Sequence, residues 1–423
     1  MVVATVAKAK KSVADAAAAA FWSSMDKLAP GAIAPAGELA MQIPRIKTGV
    51  FLLDLATYGG LPIGRIIRPF GEPKVGKTGF CLKVAAEFIA NHCGICFLNI
   101  NDGCVCEGKT RIKPTVLWVD AENRMADMLY WPAAHGVDLE HFRVLAPPTG
   151  QHIVDVVDAV LRSSAVAHVG LIIVDSLAHV VSQDELDKAT LDGPTVGRNA
   201  HLLNSAFRKW VSAIHALGLK NSHKPTIICI NQIRQKVGVT YGSNEIMPGG
   251  LGQDFATSVD IRFSKGSDCY IVWNEKSGAF EAKEKSFKSK FKPAEEVTPD
   301  FTQVNFRITA SGICPRGRSG TYNYWLKGTH GHAPGDVDNG LQLWSYAKRY
   351  LVEVEGTTKK LAGLEAKTYD ELEATFRADK DAQAKVWAAL MEKLTTDQPT
   401  APPGGVPVDD VPVNDDSPIS VDE

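Results

Sequence analysis

The stretch GEPKVGKT, residues 71–78, has the residue types and spacing that bind nucleotide phosphates. It matches G-x-x-x-x-G-K-[ST], and it lies between the strand-like run RIIRPF and the helical run GFCLKVAAEFIA. Loop amides and a helix N-terminus attract phosphate, while Lys77 reaches the β- and γ-phosphates and Thr78 holds Mg²⁺. A glycine-rich turn that binds nothing does not explain the Lys–Thr pair. The expected phosphate-binding residues are Gly71, Glu72, Pro73, Lys74, Val75, Gly76, Lys77, Thr78 and Gly79.

Acidic residues follow two other strand-like runs. LIIVDS ends its apolar run at Asp175, which we expect to hold the same Mg²⁺ as Thr78. VLWVDAEN places Asp120 and Glu122 after a second run, and in parallel sheets ligand-binding groups collect at the carboxyl ends of strands. A carboxylate there could orient or deprotonate an attacking water. The alternative for Glu122 is that it only caps the next helix.

A long polar segment follows the buried-strand pattern TIICI. Residues 231–250, NQIRQKVGVTYGSNEIMPGG, have neither a helical nor an alternating apolar pattern. Long loops without secondary structure are uncommon inside compact domains, and those that persist are usually functional. We therefore expect a ligand from outside the chain to order this segment.

Four cysteines lie close together in HCGICFLNINDGCVCEG. Cys93 and Cys96 form a C-x-x-C pair, and seven residues separate them from the C-x-C pair Cys104 and Cys106. Such pairs can bring four thiolates to one tetrahedral zinc ion, and His92 could replace one of them. The alternative is four thiols that only pack, because the spacing is not a standard zinc-finger pattern.

The elements that must position these residues alternate along the chain. Between Arg45 and Phe263, apolar β-branched runs alternate with helical patterns; the runs are RIIRPF, TVLWVD, FRVLA, LIIVD, TIICI and VDIRF. This alternation predicts an α/β fold, in which a mostly parallel sheet is covered by helices on both faces.

Composition changes along the chain suggest four regions. We expect residues 1–40 to form an N-terminal helix, from Ser12 to Leu28, with a linker that allows it to dock on another subunit. Residues 41–330 form the α/β core and residues 331–396 a small C-terminal α/β domain. Residues 397–423 carry acids and prolines without Lys or Arg, which predicts a disordered acidic tail.

The overall composition excludes some classes of protein. The 423 residues have a formal net charge of −2, so any nucleic-acid site must be a local basic patch. No apolar run approaches the roughly 20 residues that span a bilayer, and the N-terminus lacks a secretory apolar region with a cleavage site. We therefore expect a cytoplasmic protein without a membrane partner, whose eight cysteines are thiols or metal ligands before disulfides.

Taken in order, these segments resemble the bacterial RecA recombinases. The similarity lies in IKTGVFLLDLATYGGLPIGR, GRIIRPFGEPKVGKT, VLWVDAEN, LIIVDS and IICINQIRQKVGVTYG…PGG, of which NQIRQKVGV is the most specific. It extends roughly from Ser12 to Leu394. The resemblance implies a P-loop ATPase that uses ATP and Mg²⁺, forms a helical filament on single-stranded DNA, pairs it with homologous duplex DNA and exchanges strands.

The resemblance also implies roles for residues in the nucleotide site. Glu122 matches the family's catalytic glutamate and acts there with Lys77 and Gln232. Gln232 matches the glutamine that senses the γ-phosphate and signals to the second DNA-binding loop; the alternative is a strand-end hydrogen-bonding residue. Asp127 and Tyr130 match the pair beside adenine, although this match requires a one-residue insertion after Glu122.

Two DNA-binding loops follow from the same resemblance. The second loop contains Arg234, Lys236, Val237 and the Gly249–Gly250 hinge, and Val237 stands where the family has an aliphatic residue between bases. The first loop lies in ELDKATLDGPTVGRNAHLLNSAFRKW. Its matching residues are Val196, Gly197 and Arg208, and Arg198 is an additional cation that could instead be a solvated surface residue.

The sequence departs from the family at three places. The family's two interface lysines, which reach a neighbour's ATP, are replaced by Thr309 and Ser311, with Arg316 and Arg318 displaced from them. The cysteine-rich segment is the second departure. The third is a basic insertion, which could bind DNA backbone or be a surface hairpin. Its lysines are Lys283, Lys285, Lys288, Lys290 and Lys292.

Two alternatives to a recombinase stay open at this point. One is another motor or accessory ATPase of the same superfamily, such as a helicase or repair regulator. The other is a filament-forming binding protein with weak ATPase activity. The presence of Lys77, Glu122 and Gln232 argues against a decayed ATPase, and the NQIRQKVGVTYG loop argues against a helicase.

Overall fold

The computed structural model describes ten parts of the chain, namely residues 16–28, 43–101, 104, 106, 112–187, 196–217, 224–235, 245–274, 279–285 and 297–395. The helices are residues 16–28 (α1), Phe51–Ala56 (α2), Lys77–Asn91 (α3), Tyr130–Ala134 (α4), Gly150–Ala167 (α5), Gln183–Leu186 (α6), Val196–Ala216 (α7), Gly252–Ala256 (α8), Gly340–Tyr350 (α9), Tyr369–Ala378 (α10) and Lys380–Thr395 (α11). Short 3₁₀ turns span Ala126–Met128, Leu139–His141 and Leu177–His179.

The strands before the long loop are Arg45–Ile46 (β1), Leu61–Pro62 (β2), Ile66–Gly71 (β3), Thr115–Asp120 (β4), Phe142–Leu145 (β5), Val169–Asp175 (β6), Thr226–Cys229 (β7), Asn231–Gln232 (β8) and Arg234–Gln235 (β9). Those after it are Glu245–Ile246 (β10), Val259–Asn274 (β11), Ala279–Lys285 (β12), Phe301–Ser311 (β13), Ser319–Trp325 (β14), Val337–Asp338 (β15), Glu353–Glu355 (β16), Thr358–Leu361 (β17) and Leu364–Ala366 (β18).

One large sheet organises the core. Its strand order is β15-β14-β13-β11-β3-β7-β6-β4-β5, with β12 paired to β11 and β8 paired to β3. Pairing is parallel from β11 through β5 and antiparallel from β11 to β15. The six strand-like runs of the sequence all lie in this sheet, so the predicted mostly parallel α/β core is confirmed.

Both faces of the sheet are buried, as strand β6 illustrates. Leu171 and Ile173 belong to one apolar cluster, which includes Phe80 and Phe88 of α3. Residues 172 and 174, one step along the strand, belong to a second cluster built with α5 and α7. Because successive strand side chains point to opposite faces, the continuous apolar run VGLIIVD is what a strand covered on both sides requires.

The C-terminal region combines α9, α10 and α11 with the three-stranded sheet β16-β17-β18. Its apolar residues continue the cluster around α2: the ring of Phe51 lies 5.6 Å from Tyr346 and 5.5 Å from Trp387 between centroids, in edge-to-face contacts. Thr368 begins α10 with a capping box, in which its side chain and that of Glu371 satisfy each other's backbone amides. The domain boundaries at residues 331 and 396 stay predictions.

The two ends of the chain lie partly outside the described residues. Of the predicted N-terminal helix, residues 16–28 are helical, and Phe21 and Trp22 expose more than half of their surface. Residues 12–15 and the predicted acidic tail lie outside the description. In the part of the chain that the structure describes, no helix is long and apolar enough to cross a bilayer.

Candidate functional site

The phosphate-binding loop leaves β3 at Gly71 and enters α3 at Lys77. Gly71 has φ +152°, and a Cβ atom there would lie 2.1 Å from the carbonyl oxygen of Phe263 on β11. Gly76 has φ +89°, which L side chains rarely adopt. Glu72, Pro73 and Lys74 are exposed between them. Only glycine therefore fits the two ends of this turn, and the exposed centre is accessible to a ligand.

Lys77 lies beneath the loop with only 6% of its surface exposed. Its Nζ donates hydrogen bonds to the carbonyl oxygens of Gly71, at 3.0 Å, and of Glu72. Burial lowers the pKa of Lys77 to about 8, although the charges of Asp175 and Glu122 oppose this shift. A buried ammonium held by two carbonyls gains from a bound phosphate, since the phosphate supplies the missing countercharge.

Thr78 and Asp175 lie together, as the sequence predicts. Thr78 Oγ1 donates a 3.0 Å hydrogen bond to Asp175 Oδ2, at the carboxyl end of β6. Burial, reinforced by the charge of Glu122, raises the pKa of Asp175 to about 7. A buried carboxylate beside a hydroxyl and a second carboxylate offers the hard oxygen ligands that Mg²⁺ prefers, and the cation would relieve the crowding of negative charge.

Asp120 and Glu122 have different surroundings, although both follow β4. Asp120 Oδ2 accepts a 2.6 Å hydrogen bond from the amide of Met125 and is buried, so it fixes the turn that follows the strand. The amide of Glu122 donates to the carbonyl oxygen of Asp175 at 3.2 Å. The backbone thus fixes Glu122 beside β6, with its carboxylate on the edge that carries the phosphate loop.

Donors surround the Glu122 carboxylate. Oε1 accepts hydrogen bonds from Gln232 Nε2 at 2.7 Å and from Ser176 Oγ at 3.1 Å. The Nδ1 of His179 lies 3.0 Å from the same oxygen, while Arg124 lies 3.4 Å from Oε2. These contacts do not fit the alternative that Glu122 merely caps a helix.

His179 and Arg124 are contacts that the sequence analysis missed. His179 ends the 3₁₀ turn Leu177–His179, which also places its Nδ1 2.9 Å from Ser176 Oγ. A signal was present in the spacing, because a residue three positions after Ser176 returns to the same side of a 3₁₀ turn. Arg124 offers no such signal, since an Arg two residues from an acid is common in any exposed turn.

Gln232 connects the nucleotide site to the long loop. It belongs to β8, which pairs with β3 so that Gln232 faces Gly71, the first residue of the phosphate loop. Its side chain reaches Glu122, and the chain then passes directly into β9. Gln232 therefore lies between the phosphate loop and the start of the long loop, and its sensing role stays a prediction.

The two strands that flank the predicted second DNA loop pair with each other. Strand β9 pairs with β10, with Gln235 opposite Glu245. Arg234 is exposed and donates a 3.1 Å hydrogen bond to the carbonyl oxygen of Ala178, next to His179. The predicted contacts Lys236 and Val237 lie outside the described residues.

The Gly249–Gly250 hinge packs against α7. A Cβ atom at Gly249 would lie 2.9 Å from Leu203 Cδ1, and one at Gly250 would lie 3.2 Å from the side chain of Asn204. Asn204 Oδ1 also accepts a 2.9 Å hydrogen bond from the amide of Gly252. Larger residues at the hinge would push the loop away from α7.

Helix α7 carries the described residues of the predicted first DNA loop. Gly197 lies in its first turn, and a Cβ atom there would meet nothing within 4 Å. Arg208 is exposed, about three turns further on, and its guanidinium lies 3.3 Å from Ser205 Oγ. Val196 and Arg198 are also helical, but their side chains are outside the description. The hinge of the predicted second loop thus contacts the helix that carries the described residues of the predicted first loop.

Asp127 and Tyr130 follow the Glu122 turn. Asp127 lies in the 3₁₀ turn Ala126–Met128, and Tyr130 begins α4 with 65% of its surface exposed. Both side chains are available to a ligand, and their place beside adenine stays a prediction.

The region that replaces the family's interface lysines makes contacts within its own chain. Arg318 donates to the carbonyl oxygens of Leu55 and Ala56, at 3.3 and 3.2 Å, and its guanidinium lies 4.3 Å from the ring centre of Tyr58. Arg316 is exposed. Of the two displaced arginines, only Arg316 is therefore available to a neighbouring subunit.

The basic insertion continues a long hairpin. Lys283 and Lys285 belong to β12, which pairs with the outer half of β11, while Lys288, Lys290 and Lys292 lie outside the described residues. Trp273 and Phe280 are exposed on this hairpin, with ring centres 5.1 Å apart. The described half is thus an extension of the sheet, and its contact with DNA stays a prediction.

The predicted cysteine group assembles at the other end of the sheet. The sulfur atoms of Cys93, Cys96, Cys104 and Cys106 all lie within 4.8 Å of one another. His92 does not join them: its ring stacks on Phe88, and Nδ1 lies 2.9 Å from the carbonyl oxygen of Phe97. Burial lowers the pKa of His92 to about 4, so the ring is neutral. The expectation that His92 could replace a thiolate is therefore wrong.

Comparison with known proteins identifies similar sequences. The family model for the RecA N-terminal domain matches residues 104–313. The chain is 34% identical over 245 residues to Protein RecA of Crocosphaera subtropica, a match that covers 56% of this chain and 61% of that protein. It is 36% identical over 247 residues to Protein RecA of Nostoc punctiforme, covering 57% of this chain and 60% of that protein.

A third similar protein, Protein RecA of Arthrospira platensis, is 34% identical over 285 residues, covering 66% of this chain and 65% of that protein. The chain thus spans about three fifths of the length of the curated relatives that it matches. The match to the family model begins after the phosphate loop, so the loop is identified by its own residues and geometry.

Proposed function

This chain belongs to the RecA family, and from that membership we propose that it is a DNA-dependent ATPase that forms filaments on single-stranded DNA and catalyses homologous pairing and strand exchange in recombinational repair. The observation that carries the proposal is the 2.7 Å hydrogen bond from Gln232 Nε2 to Glu122 Oε1. This bond connects Glu122, the residue best placed to activate water, with Gln232, from which the predicted DNA loop begins.

The phosphate loop supplies binding and charge. Lys77 turns from the carbonyl oxygens of Gly71 and Glu72 toward the β- and γ-phosphates of ATP, which are better partners for a buried ammonium. Thr78 and Asp175 would hold Mg²⁺ through oxygen ligands. When bound, the cation would supply positive charge that offsets the charge of the phosphate oxygens.

Glu122 acts on the attacking water. Its carboxylate is 14% exposed, which leaves room for a water molecule while keeping the surroundings poor in solvent. Water attacks the γ-phosphorus, the bond to the β-phosphate oxygen breaks, and Glu122 accepts the proton that the water loses. Ser176 and His179 keep the carboxylate in place during this step.

Gln232 couples the reaction to DNA. In the described arrangement its amide and the Ser176 hydroxyl both donate to Glu122 Oε1, so Gln232 must move before this oxygen can accept a further hydrogen bond from water. A γ-phosphate above Gly71 competes for the same amide, and Gln232 leads through β9 into the second loop. DNA that orders this loop thereby shifts Gln232 away from Glu122, and hydrolysis becomes faster in the presence of DNA.

The two predicted DNA loops supply the binding surface. The hinge at Gly249 and Gly250 contacts α7, which carries Gly197 and the exposed Arg208. Arg208 and the exposed Arg234 are cations for the DNA backbone, and we propose Lys236 and Val237 as further contacts. A single strand that spans both loops would contact a surface fixed to the nucleotide site through Gln232.

Filament formation needs a contact between subunits, and we assign part of it to α1. Phe21 and Trp22 expose 53% and 57% of their surface on this helix, which is the apolar surface that docking on a neighbour would cover. Deleting residues 1–40 should leave a folded protein that no longer assembles with ATP and DNA, as measured by light scattering and electron microscopy. Filaments of the truncated protein would rule out this role for α1.

One experiment separates the proposal from its alternatives. ATP hydrolysis is measured with and without single-stranded DNA, and strand exchange is then assayed between a circular single strand and a homologous linear duplex. A recombinase gives DNA-stimulated hydrolysis and exchanged strands. Hydrolysis without exchange would instead support a motor or accessory ATPase, and binding without hydrolysis a structural filament protein.

A further inference from the structure

The strongest unexplained feature is the group of four cysteines between α3 and β4. Their sulfur atoms all lie within 4.8 Å of one another, and the sulfurs of Cys96 and Cys104 are 3.6 Å apart. A zinc–sulfur bond of about 2.3 Å places the sulfurs of a tetrahedral site about 3.8 Å apart. The group therefore already has nearly the dimensions of a single-ion site.

Backbone amides are aimed at the sulfur atoms. The amide of Ile95 donates to Cys93 Sγ at 3.4 Å, and the amide of Cys96 donates to the same sulfur. The amide of Leu98 donates to Cys96 Sγ in the same manner. Amides that point at sulfur stabilise a thiolate much more than a neutral thiol, so this turn is built for sulfur that carries negative charge.

The four sulfur atoms have little contact with solvent. Cys93 and Cys96 are buried, with 5% and 3% of their surface exposed, and Cys104 and Cys106 are half-buried. Four thiolates cannot coexist at such distances without a cation, because each added charge repels the others at close range.

We propose that Cys93, Cys96, Cys104 and Cys106 bind one zinc ion. Binding displaces the thiol protons to solvent and forms four zinc–sulfur bonds, with no change in oxidation state. A closed tetrahedral site of four sulfurs is characteristic of structural zinc. The assignment is independent of the proposed recombinase activity, since none of its ligands touches the nucleotide site.

Two other fates of the cysteines fit less well. All four are free thiols, and 3.6 Å between Cys96 and Cys104 is far beyond the S–S bond of about 2.05 Å in a disulfide. An iron–sulfur cluster interposes several metal and sulfide atoms and so needs its cysteines farther apart than a single ion does. The compact group therefore favours one ion.

The site lies at the amino end of the sheet. The amide of Gly94 donates to the carbonyl oxygen of Ile112, just before β4, and the carbonyl oxygen of Gly94 lies 2.8 Å from Nδ1 of His168, just before β6. A Cβ atom on Gly170 would meet the buried ring of Phe97 at 2.5 Å. Zinc would thus tie the segment to the starts of β4 and β6.

Catalytic residues lie at the opposite ends of those strands. From Thr115 to Asp120 the chain advances five residues at about 3.3 Å each, or about 17 Å in all. Zinc should accordingly stabilise the segment between α3 and β4 and leave the chemistry of Glu122 unchanged.

The test uses the full chain, purified in reducing buffer without chelator, and measures zinc and iron by elemental analysis. We expect one zinc per chain, loss of that zinc in Cys93→Ser/Cys96→Ser, and retention in Cys314→Ser. Cys314 is a matched control, because its thiol contacts Ser311 and lies outside the group.

A second measurement does not depend on the variant folding. Metal-free wild-type protein is titrated with Co²⁺, and four sulfur ligands should give the strong visible absorption and sulfur-to-metal charge transfer of tetrahedral cobalt thiolate. Zinc should then displace the cobalt and raise the melting temperature. Substoichiometric zinc with four reactive thiols, a disulfide, iron in place of zinc, or zinc retained by the double variant would each overturn the proposal.

Discussion

At the carboxyl end of the sheet, Glu122 and Gln232 are 110 positions apart in sequence and meet through one hydrogen bond. At the amino end, four cysteines that all come from one segment of fourteen residues, 93–106, lie together. The first arrangement exists only when β4, β6 and β8 are in register, whereas the second is defined mainly by its local turn. The two ends should therefore respond differently to substitution.

The difference also concerns what each end holds. At the carboxyl end, a bound nucleotide and its cation would be better partners for buried Lys77 and Asp175 than the groups that now surround them. Part of the stabilising free energy of this region is therefore gained only when the nucleotide binds. At the amino end, the four cysteines would fill all the coordination positions of the proposed zinc ion, which leaves none for a substrate. Changes at the carboxyl end should alter rates, and changes at the amino end should alter stability.

Glu122→Gln is expected to have the largest effect. The amide cannot accept a proton from water, so ATP hydrolysis should fall by about a hundredfold or more, within the range of general-base losses. ATP binding, melting temperature and zinc content should stay near those of the wild type, as measured by nucleotide fluorescence, calorimetry and elemental analysis.

Glu140→Gln is the matched control for that substitution, because Glu140 is an exposed carboxylate in the 3₁₀ turn Leu139–His141. It should hydrolyse ATP at the wild-type rate. Normal turnover in Glu122→Gln would remove Glu122 from the proposed mechanism, and loss of zinc in that variant would contradict the independence of the two ends.

Arg318→Ala should behave like a change at the amino end, with an effect on stability alone. The substitution removes two hydrogen bonds to the carbonyl oxygens at the end of α2 and the contact with Tyr58. We expect the free energy of unfolding to fall by about 2 kcal/mol in urea denaturation, with little change in hydrolysis rate.

Arg316→Ala provides the comparison, since Arg316 is exposed. It should leave the free energy of unfolding within about 0.5 kcal/mol of the wild type, as is usual for surface substitutions. Equal destabilisation by both substitutions would show that Arg318 is not held by its own chain in the way described.

His179→Ala should slow hydrolysis much less than Glu122→Gln does. His179 positions the Glu122 carboxylate and does not itself contact the reacting atoms, so hydrolysis should slow by about threefold to tenfold, the equivalent of roughly one hydrogen bond. His179→Asn, which keeps a donor near Ser176, should recover part of the rate. Two variants with the same unchanged rate would show that Ser176 and Gln232 suffice to hold the carboxylate.

The local features of the fold could be predicted from the sequence. Runs such as LIIVD and TVLWVD became buried parallel strands, because β-branched residues with no polar interruption fit only a sheet covered on both faces. The phosphate loop and the acids after β4 and β6 followed from the same strand ends. The cysteine group was also foreseeable, since all of its ligands lie within one short segment.

Contacts between distant side chains were beyond the sequence. The environment of Glu122 depends on which donors β6 and β8 bring to its carboxylate, and a single sequence does not give the register of those strands. His92 illustrates the same limit: its spacing allowed a metal ligand, but packing on Phe88 and the carbonyl oxygen of Phe97 fixed its ring elsewhere. Arg318 was placed inside its own chain by a distant partner, α2.

The most direct test of the account is the dependence of ATP hydrolysis on single-stranded DNA in Gln232→Ala. We expect the variant to hydrolyse ATP without DNA faster than the wild type does, because no amide occupies Glu122 Oε1, and to lose the stimulation by DNA that the wild type shows. Gln303→Ala, which alters a glutamine on β13 near Glu284, should keep the stimulation. Full stimulation in Gln232→Ala would contradict the claim that Gln232 links the DNA loop to Glu122.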